Sequence, residues 1–230
     1  MHFLIYGDNT HASRARLASM RARFSETRDS SGMNVVVLHE KKTDLDTIAK
    51  HLFASPFLAE KKMVILEGFL KKPAAEQTAI KEYLERKPDS TVVIFYEEAG
   101  KSAFKKSTLF TLLEKQKFSS DHPALTAAQV TTHIKTACKE NDLEVSPRAV
   151  QLLSSSIGDD SWRLDTELGK VITYALAHEK KKVDEEMVHL LVSESQDEPI
   201  FTYIDACLEG RGSDATILLE GLRSNGMSDI

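Results

Sequence analysis

Cysteine, excess positive charge and long apolar runs are all scarce in this chain, and each scarcity removes a class of protein. Two cysteines among 230 residues, Cys138 and Cys207, are too few and too far apart for a disulfide framework or a zinc site. Each falls within an apolar helical pattern, so both are expected as buried thiols in a reducing cytosol. No apolar run approaches the ~20 residues of a bilayer span, and no membrane partner is expected. The N-terminus enters a strand without a basic region or cleavage site, which makes a cytoplasmic protein the expectation. The eight histidines include no i, i+4 pair and no H-E-x-x-H, which argues against a metal site. No serine stands in a G-x-S-x-G elbow. Thirty Lys and Arg face 35 Asp and Glu, a formal charge of −5, so bulk attraction to nucleic acid is not available.

What remains is the composition of an ordinary soluble protein, 41% hydrophobic and 28% charged. It is rich enough to bury a sizeable core and gives no sign of disorder. His2-Phe3-Leu4-Ile5-Tyr6-Gly7-Asp8 reads as a buried strand running into a glycine turn before a long helix, as a phosphate-binding domain opens. A P-loop then needs a second glycine, a lysine and Ser/Thr to meet phosphates and magnesium. Those positions hold Ala12, Ser13 and Arg14. The fold signal of a nucleotide-binding domain is present without its chemistry, so no bound cofactor and no catalytic residue are expected, and the protein is expected to act through its surfaces.

The first ~120 residues alternate apolar runs (Phe3 to Tyr6, Val35 to Leu38, Met63 to Leu66, Val92 to Tyr96) with amphipathic stretches, the pattern of a parallel sheet with crossover helices. Leu45, Ile48, Ala49 and Leu52 repeat at helical spacing behind the cap candidate Thr43, and Ile80, Tyr83 and Leu84 do so before Pro88. A further helix is expected over Lys105 to Lys115. The polar stretch Ser119-Ser120-Asp121-His122-Pro123 reads as a boundary, beyond which strand patterns vanish. Helices are expected from Thr126 to about Glu140, from Ser146-Pro147 onward, after Gly158-Asp159-Asp160 to near His178, and on to Leu191. A second break, Ser193 to Pro199, precedes two more helical patterns. The expected organisation is an α/β domain over 1–122, a helical domain over 123–194, and two helices over 195–230 that cannot readily form a core alone.

Val92-Val93-Ile94-Phe95-Tyr96-Glu97-Glu98 imitates a Walker B strand. Without the lysine-bearing loop there is no phosphate for a metal to bridge, and the acids read as a solvated strand end. Arg14, Arg16, Arg21, Arg23 and Arg28 crowd the first helix, with 14/21 and 16/23 each on a shared face. They form either a phosphate-contacting face or a solvated one partly paired with Glu26. The lysine clusters 61–62, 71–72, 105–106 and 180–182 read as solubility. In Ser55-Pro56-Phe57-Leu58-Ala59-Glu60-Lys61-Lys62, Pro56 ends the preceding helix and leaves Phe57 and Leu58 on a connector. Two large apolar residues there either fold under the domain or face a partner, where each can contribute roughly 1.5–3 kcal/mol.

Taken together, the segments resemble the delta subunit of the bacterial DNA polymerase III clamp loader. The match includes Tyr6-Gly7-Asp8, the run Pro56 to Leu66, Asp89 to Phe95 and Leu125-Thr126. It continues through Gly158 to Leu164 with Glu167-Leu168 and Lys170, then Asp205-Ala206 with Leu208 and Gly210. No motif alone is specific; their order and spacing are. The resemblance implies an AAA+-like α/β domain without a P-loop, a helical lid domain and the start of a helical collar domain, as in a truncated chain. It implies a subunit classed with DNA-directed DNA polymerase that binds and opens the sliding clamp without hydrolysing ATP itself. Its partners would be the clamp, other loader subunits through the collar, and primed DNA within the assembled loader. The clamp contact of the family, an adjacent apolar pair before the third strand, falls on Phe57 and Leu58. The family usually has Leu-Phe there, so the deeper anchor is left open. The alternatives from other classes are a divergent NTPase and a standalone DNA-binding module using the Arg14 to Arg28 face.

Overall fold

The computed structural model describes residues 1–158, 160–192 and 197–224, with backbone alone at 197–201 and 224. These divide into two compact units, residues 1–125 and 126–230.

The first unit is built on β1 (His2–Tyr6), β2 (Val35–His39), β3 (Lys62–Glu67), β4 (Thr91–Glu97) and β5 (Ser119–Asp121), a sheet in the order β2-β3-β4-β1-β5. Every pairing is parallel, with Ile5 opposite Tyr96 and Val64 opposite Val93. Alternation along each strand sorts the apolar residues onto two faces. Leu4, Leu38, Val64, Leu66, Val93 and Phe95 pack with α2 (Leu45–Phe53), α3 (Ala74–Arg86) and α4 (Thr108–Glu114). Ile5, Met63, Ile65, Ile94 and Tyr96 pack with Leu17 and Phe24 of α1 (Thr10–Arg28). Three helices therefore cover one face and one helix covers the other, as right-handed crossovers in this strand order require.

Local chemistry moves several boundaries away from those read in the sequence. Asp44, rather than Thr43, caps α2 by accepting from Thr47 N at 2.8 Å. Residues Lys101–Phe104 form a 3-10 turn, and Ser107 caps α4, so the helix expected over Lys105 to Lys115 is shorter. The stretch Ser119 to Asp121, read as a linker, is the fifth strand: it pairs with β1. Lys62, read as a solvent-facing residue, is buried; its ammonium donates to His51 O at the end of α2, and burial lowers its pKa.

The second unit holds α5 (Ala127–Glu140), α6 (Pro147–Ile157), α7 (Ser161–Ala177) and α8 (Glu185–Leu191) around Ile134, Leu153, Leu168, Val171 and Val188. Side-chain caps start each helix: a Thr126/Gln129 capping box, Ser146 ahead of Pro147, Asp160 and Asp184. Strands do not vanish here, contrary to the sequence reading. Two-residue β6 (Glu144–Val145) and β7 (Lys182–Val183) pair in parallel. Cys138 is buried, but Cys207 is exposed, which corrects the expectation of two buried thiols. The helices α9 (Asp197–Leu208) and α10 (Gly212–Ser224) pack on one another. Of the break expected at Ser193 to Pro199, residues 193–196 lie outside the described residues, and α9 already begins at Asp197, inside the expected break. No described helix is long and apolar enough to cross a membrane.

Candidate functional site

The connector between α2 and β3 carries the exposed apolar pair. Ala54 caps α2 in extended backbone, donating to Lys50 O, and Pro56 keeps Ser55 out of helix. Phe57 is 57% exposed and Leu58 89% exposed, so of the two fates open to the pair, both residues face solvent.

Their backbone is held firmly all the same. The carboxamide of Asn34, just ahead of β2, accepts from Phe57 N at 2.6 Å and donates to Phe57 O at 2.8 Å. One side chain thus supplies both bonds that a neighbouring strand would make. Asn34 is itself 4% exposed and locked to Asp29, whose carboxylate accepts from Asn34 N at 2.7 Å and Asn34 Nδ2 at 2.9 Å. Ser31 Oγ donates to the same carboxylate at 2.7 Å, and these bonds hold its pKa below the usual range. Downstream, Arg28 pairs with Glu60 at 3.3 Å. Leu58 takes a left-handed φ of 49°, which costs a residue with a Cβ on the order of 1 kcal/mol. The strain falls on the most exposed apolar side chain of the connector. Asn34 and Asp29 escaped the sequence reading. The only available signal was the turn-forming run Asp29-Ser30-Ser31-Gly32 before a strand.

The second locus is the crevice between the C-terminal ends of β1 and β4, the switch point where open α/β sheets hold ligands. Between Tyr6 and the start of α1 only Gly7, Asp8 and Asn9 intervene, too few to wrap a phosphate as the longer P-loop does. Gly7 has φ 137°, and a Cβ there would lie 2.0 Å from His122 O. Asn9 N donates to that same carbonyl at 2.9 Å while Asn9 Oδ1 caps Ala12 N. Asp8 Oδ1 accepts from Gly100 N at 2.9 Å, joining the loops after β1 and β4.

The side chains standing where a P-loop would place its chemistry are engaged elsewhere. Ser13 Oγ is buried and 3.1 Å from Tyr96 Oη. Arg14 lies 4.3 Å from the Tyr96 ring centroid and pairs with Glu98 at 2.6 Å and Glu67 at 3.0 Å. Of the α1 arginines, Arg14 pairs with Glu67 and Glu98 and Arg28 with Glu60, rather than with Glu26. Glu97 corrects the reading of a solvated strand end: it is 3% exposed and accepts from Leu70 N at 2.7 Å. Burial pushes its carboxyl up to about 7. A cleft of about 600 Å³ beside Arg14 and Glu97 mixes Lys41, Lys42 and Lys71 with Glu40 and Glu67 and presents no single charge sign to a ligand. No group of three or more metal-ligating side chains gathers among the described residues.

A family model described as DNA polymerase III, delta subunit, matches residues 3–120, just over half of the chain. No curated protein matches it by sequence. Among solved structures, the chain is similar to the Bacillus subtilis DNA clamp loader delta protein YqeN, with a TM-score of 0.63 and 18% identity over 99% of this chain and 68% of that one. It is also similar to the Thermotoga maritima RuvB Holliday junction branch migration motor, with a TM-score of 0.50 and 12% identity over 83% and 60%. The Aeropyrum pernix ORC2 protein gives a TM-score of 0.50 and 15% identity over 99% and 80%. At these identities the structural likenesses establish the fold, an AAA+-like parallel sheet followed by helices.

Proposed function

The chain belongs to the DNA polymerase III delta-subunit family, and on that premise we propose that it is the clamp-loader subunit that binds and opens the sliding clamp. The observation that carries this reading is the solvent-facing Phe57-Leu58 pair on a connector fixed by Asn34. A hydrophobic anchor presented on ordered backbone binds without first losing the entropy of a floppy loop. Clamp opening then needs no catalytic residue. A ligand with greater affinity for the open ring shifts the closed–open equilibrium by that difference in binding free energy.

In this proposal the chain does not hydrolyse ATP; sister subunits do, and their movement exposes or hides the anchor. The three-residue turn at Gly7 to Asn9 and the engagement of Arg14 by Glu67 and Glu98 support that division of labour. Residues 123–194 serve as the lid and 195–230 as the start of the collar that joins other subunits, bringing primed DNA within reach of the assembled loader. Tight magnesium-dependent ATP binding by the purified chain would instead restore the divergent-NTPase reading.

Calorimetry with the cognate clamp tests the site. Phe57→Ala with Leu58→Ala should weaken binding at least about a hundredfold, from the apolar area the two side chains bury, while the folded structure persists because both are exposed. Unaltered affinity in the double variant sinks the assignment.

A further inference from the structure

The sheet face that packs on α1 is incompletely covered: Phe3, Val35, Val37 and Val92 are only partly buried. Five strands spaced ~4.8 Å apart make a layer about 19 Å across, whereas one helix with its side chains covers about 10 Å. Beside α1, at the end of the sheet where the strands begin, lies a groove of about 520 Å³. Its floor is apolar: Phe3, Met20, Met63 and Val92, of which Phe3, Met20 and Val92 are only partly buried against the core of this face. Its rim is basic, formed by Arg16, Arg23, Arg28 and Lys61, with Asp89 as the one acidic side chain lining it. Arg28 is met by Glu60, and Lys61 reaches only a backbone oxygen, Asp89 O, at 2.9 Å. Arg16 and Arg23 are exposed and take no part in the ion pairs of the described residues. A chain with formal charge −5 thus concentrates unpaired positive charge along one apolar trough.

We propose that this groove docks an acidic amphipathic helix from a partner protein. The geometry sets the size of the occupant. Arg16, Met20, Arg23 and Thr27 form a stripe along α1, and the eleven steps from first to last rise about 16 Å, which matches a partner helix of about three turns lying alongside. Leucine-type residues of that helix would meet Phe3, Val92 and the Met20 thioether, which adapts to varied apolar shapes, and its flanking carboxylates would meet Arg16 and Arg23. Single-stranded nucleic acid, the other polyanion to consider, needs open aromatic faces for its bases. The Phe3 ring is engaged by Phe118, with centroids 4.9 Å apart, Phe24, the other aromatic residue lining the groove, is buried, and the remaining apolar lining is aliphatic or thioether. The groove shares Lys61 with the connector that carries Phe57 and Leu58, but neither of those two residues lines it, and the proposal does not depend on their role.

Fluorescence anisotropy on the full chain tests the proposal with three labelled probes. The first is a stapled helix of about 12 residues with leucine on one face and glutamate on its flanks. The second is the same helix with lysine for glutamate, and the third is an oligothymidylate of about 15 nucleotides. The acidic helix should bind wild type, and Arg16→Glu with Arg23→Glu should weaken it about tenfold, the range of two exposed ion pairs. That variant should gain the lysine helix, which wild type does not bind. Circular dichroism of the variant should match wild type, because both positions are exposed. Met20→Glu supplies a second variant and should abolish binding through the apolar floor. Equal binding of both helices to wild type, or no effect of either variant, overturns the proposal. So does oligothymidylate binding that the arginine reversals remove, which assigns the groove to nucleic acid.

Discussion

Replacing Asn34 by Ala should disorder the connector without touching either apolar side chain. The substitution deletes the two hydrogen bonds to the Phe57 backbone, at 2.6 and 2.8 Å, and removes one donor from Asp29. At a net 0.5–1.5 kcal/mol per bond, the direct loss is about 1–3 kcal/mol, most of it local to residues 54–61. The released backbone must then be reordered on binding. Fixing one residue costs roughly 1–2 kcal/mol, and Pro56 already restricts the chain on one side, so clamp affinity should fall about ten- to a hundredfold. Hydrogen exchange at the Phe57 amide, read beside calorimetry with the clamp, separates the two effects: exchange should accelerate and affinity should drop together. Asn34→Asp should be no better at neutral pH, because it keeps an acceptor but sets a carboxylate against Asp29. Slow exchange at Phe57 in Asn34→Ala would refute the structural role. Fast exchange with unchanged affinity would refute the link between connector order and binding.

Three further outcomes follow from the packing. Gly7→Ala should cost about 3 kcal/mol or more, because its Cβ would overlap His122 O at 2.0 Å on a backbone with φ 137°; a denaturant midpoint near wild type would contradict this. Glu97 has a folded pKa of about 7 against 4.5, so the folded state holds its proton more tightly. Stability should therefore fall as pH rises from about 4.5 to 7 and level off above, by up to about 3 kcal/mol. Glu97→Gln keeps an acceptor for Leu70 N and should flatten that slope, as urea titrations at several pH values will read. Gln77 donates to Leu70 O and Lys72 O and accepts from Ser107 Oγ and Leu109 N. Gln77→Leu leaves all four unmet at similar volume and should lower stability by about 2–4 kcal/mol, visible as an earlier thermal midpoint.

Four of the five strands were legible because both of their faces meet apolar neighbours, fully or in part, and they read as nearly unbroken apolar runs. The fifth was not, since Ser119-Ser120-Asp121 carries no apolar residue. It is an edge strand, and its place comes from backbone pairing with β1, which leaves no mark on side-chain hydrophobicity. The same reason hid β6 and β7, whose two residues apiece are too short for a period. The empty P-loop positions were visible at once, yet what fills the crevice was not. Pairing Arg14 with Glu98, 84 positions away, requires the register of the folded sheet. Phe57 and Leu58 stood out as large apolar residues beside a proline. Asn34 gave no such contrast, because a carboxamide before a strand looks like any turn residue until the connector is laid against it.

The strand order also sets a timetable for synthesis. β1 is made before the other four strands, but in the finished sheet it lies between β4 and β5. Its two ladders therefore wait for residues near 91 and 119. At 5–20 residues per second, β5 follows β1 by roughly 6–24 s. Until β4 emerges, roughly 5–18 s after β1, the segment Phe3-Leu4-Ile5-Tyr6 has no strand partner, and one edge stays open until β5 arrives, a state in which apolar strands invite foreign pairing. The residues that complete the sheet are the polar Ser119-Ser120-Asp121. The nascent chain thus closes the second edge of β1 last, with a segment that carries no apolar residue.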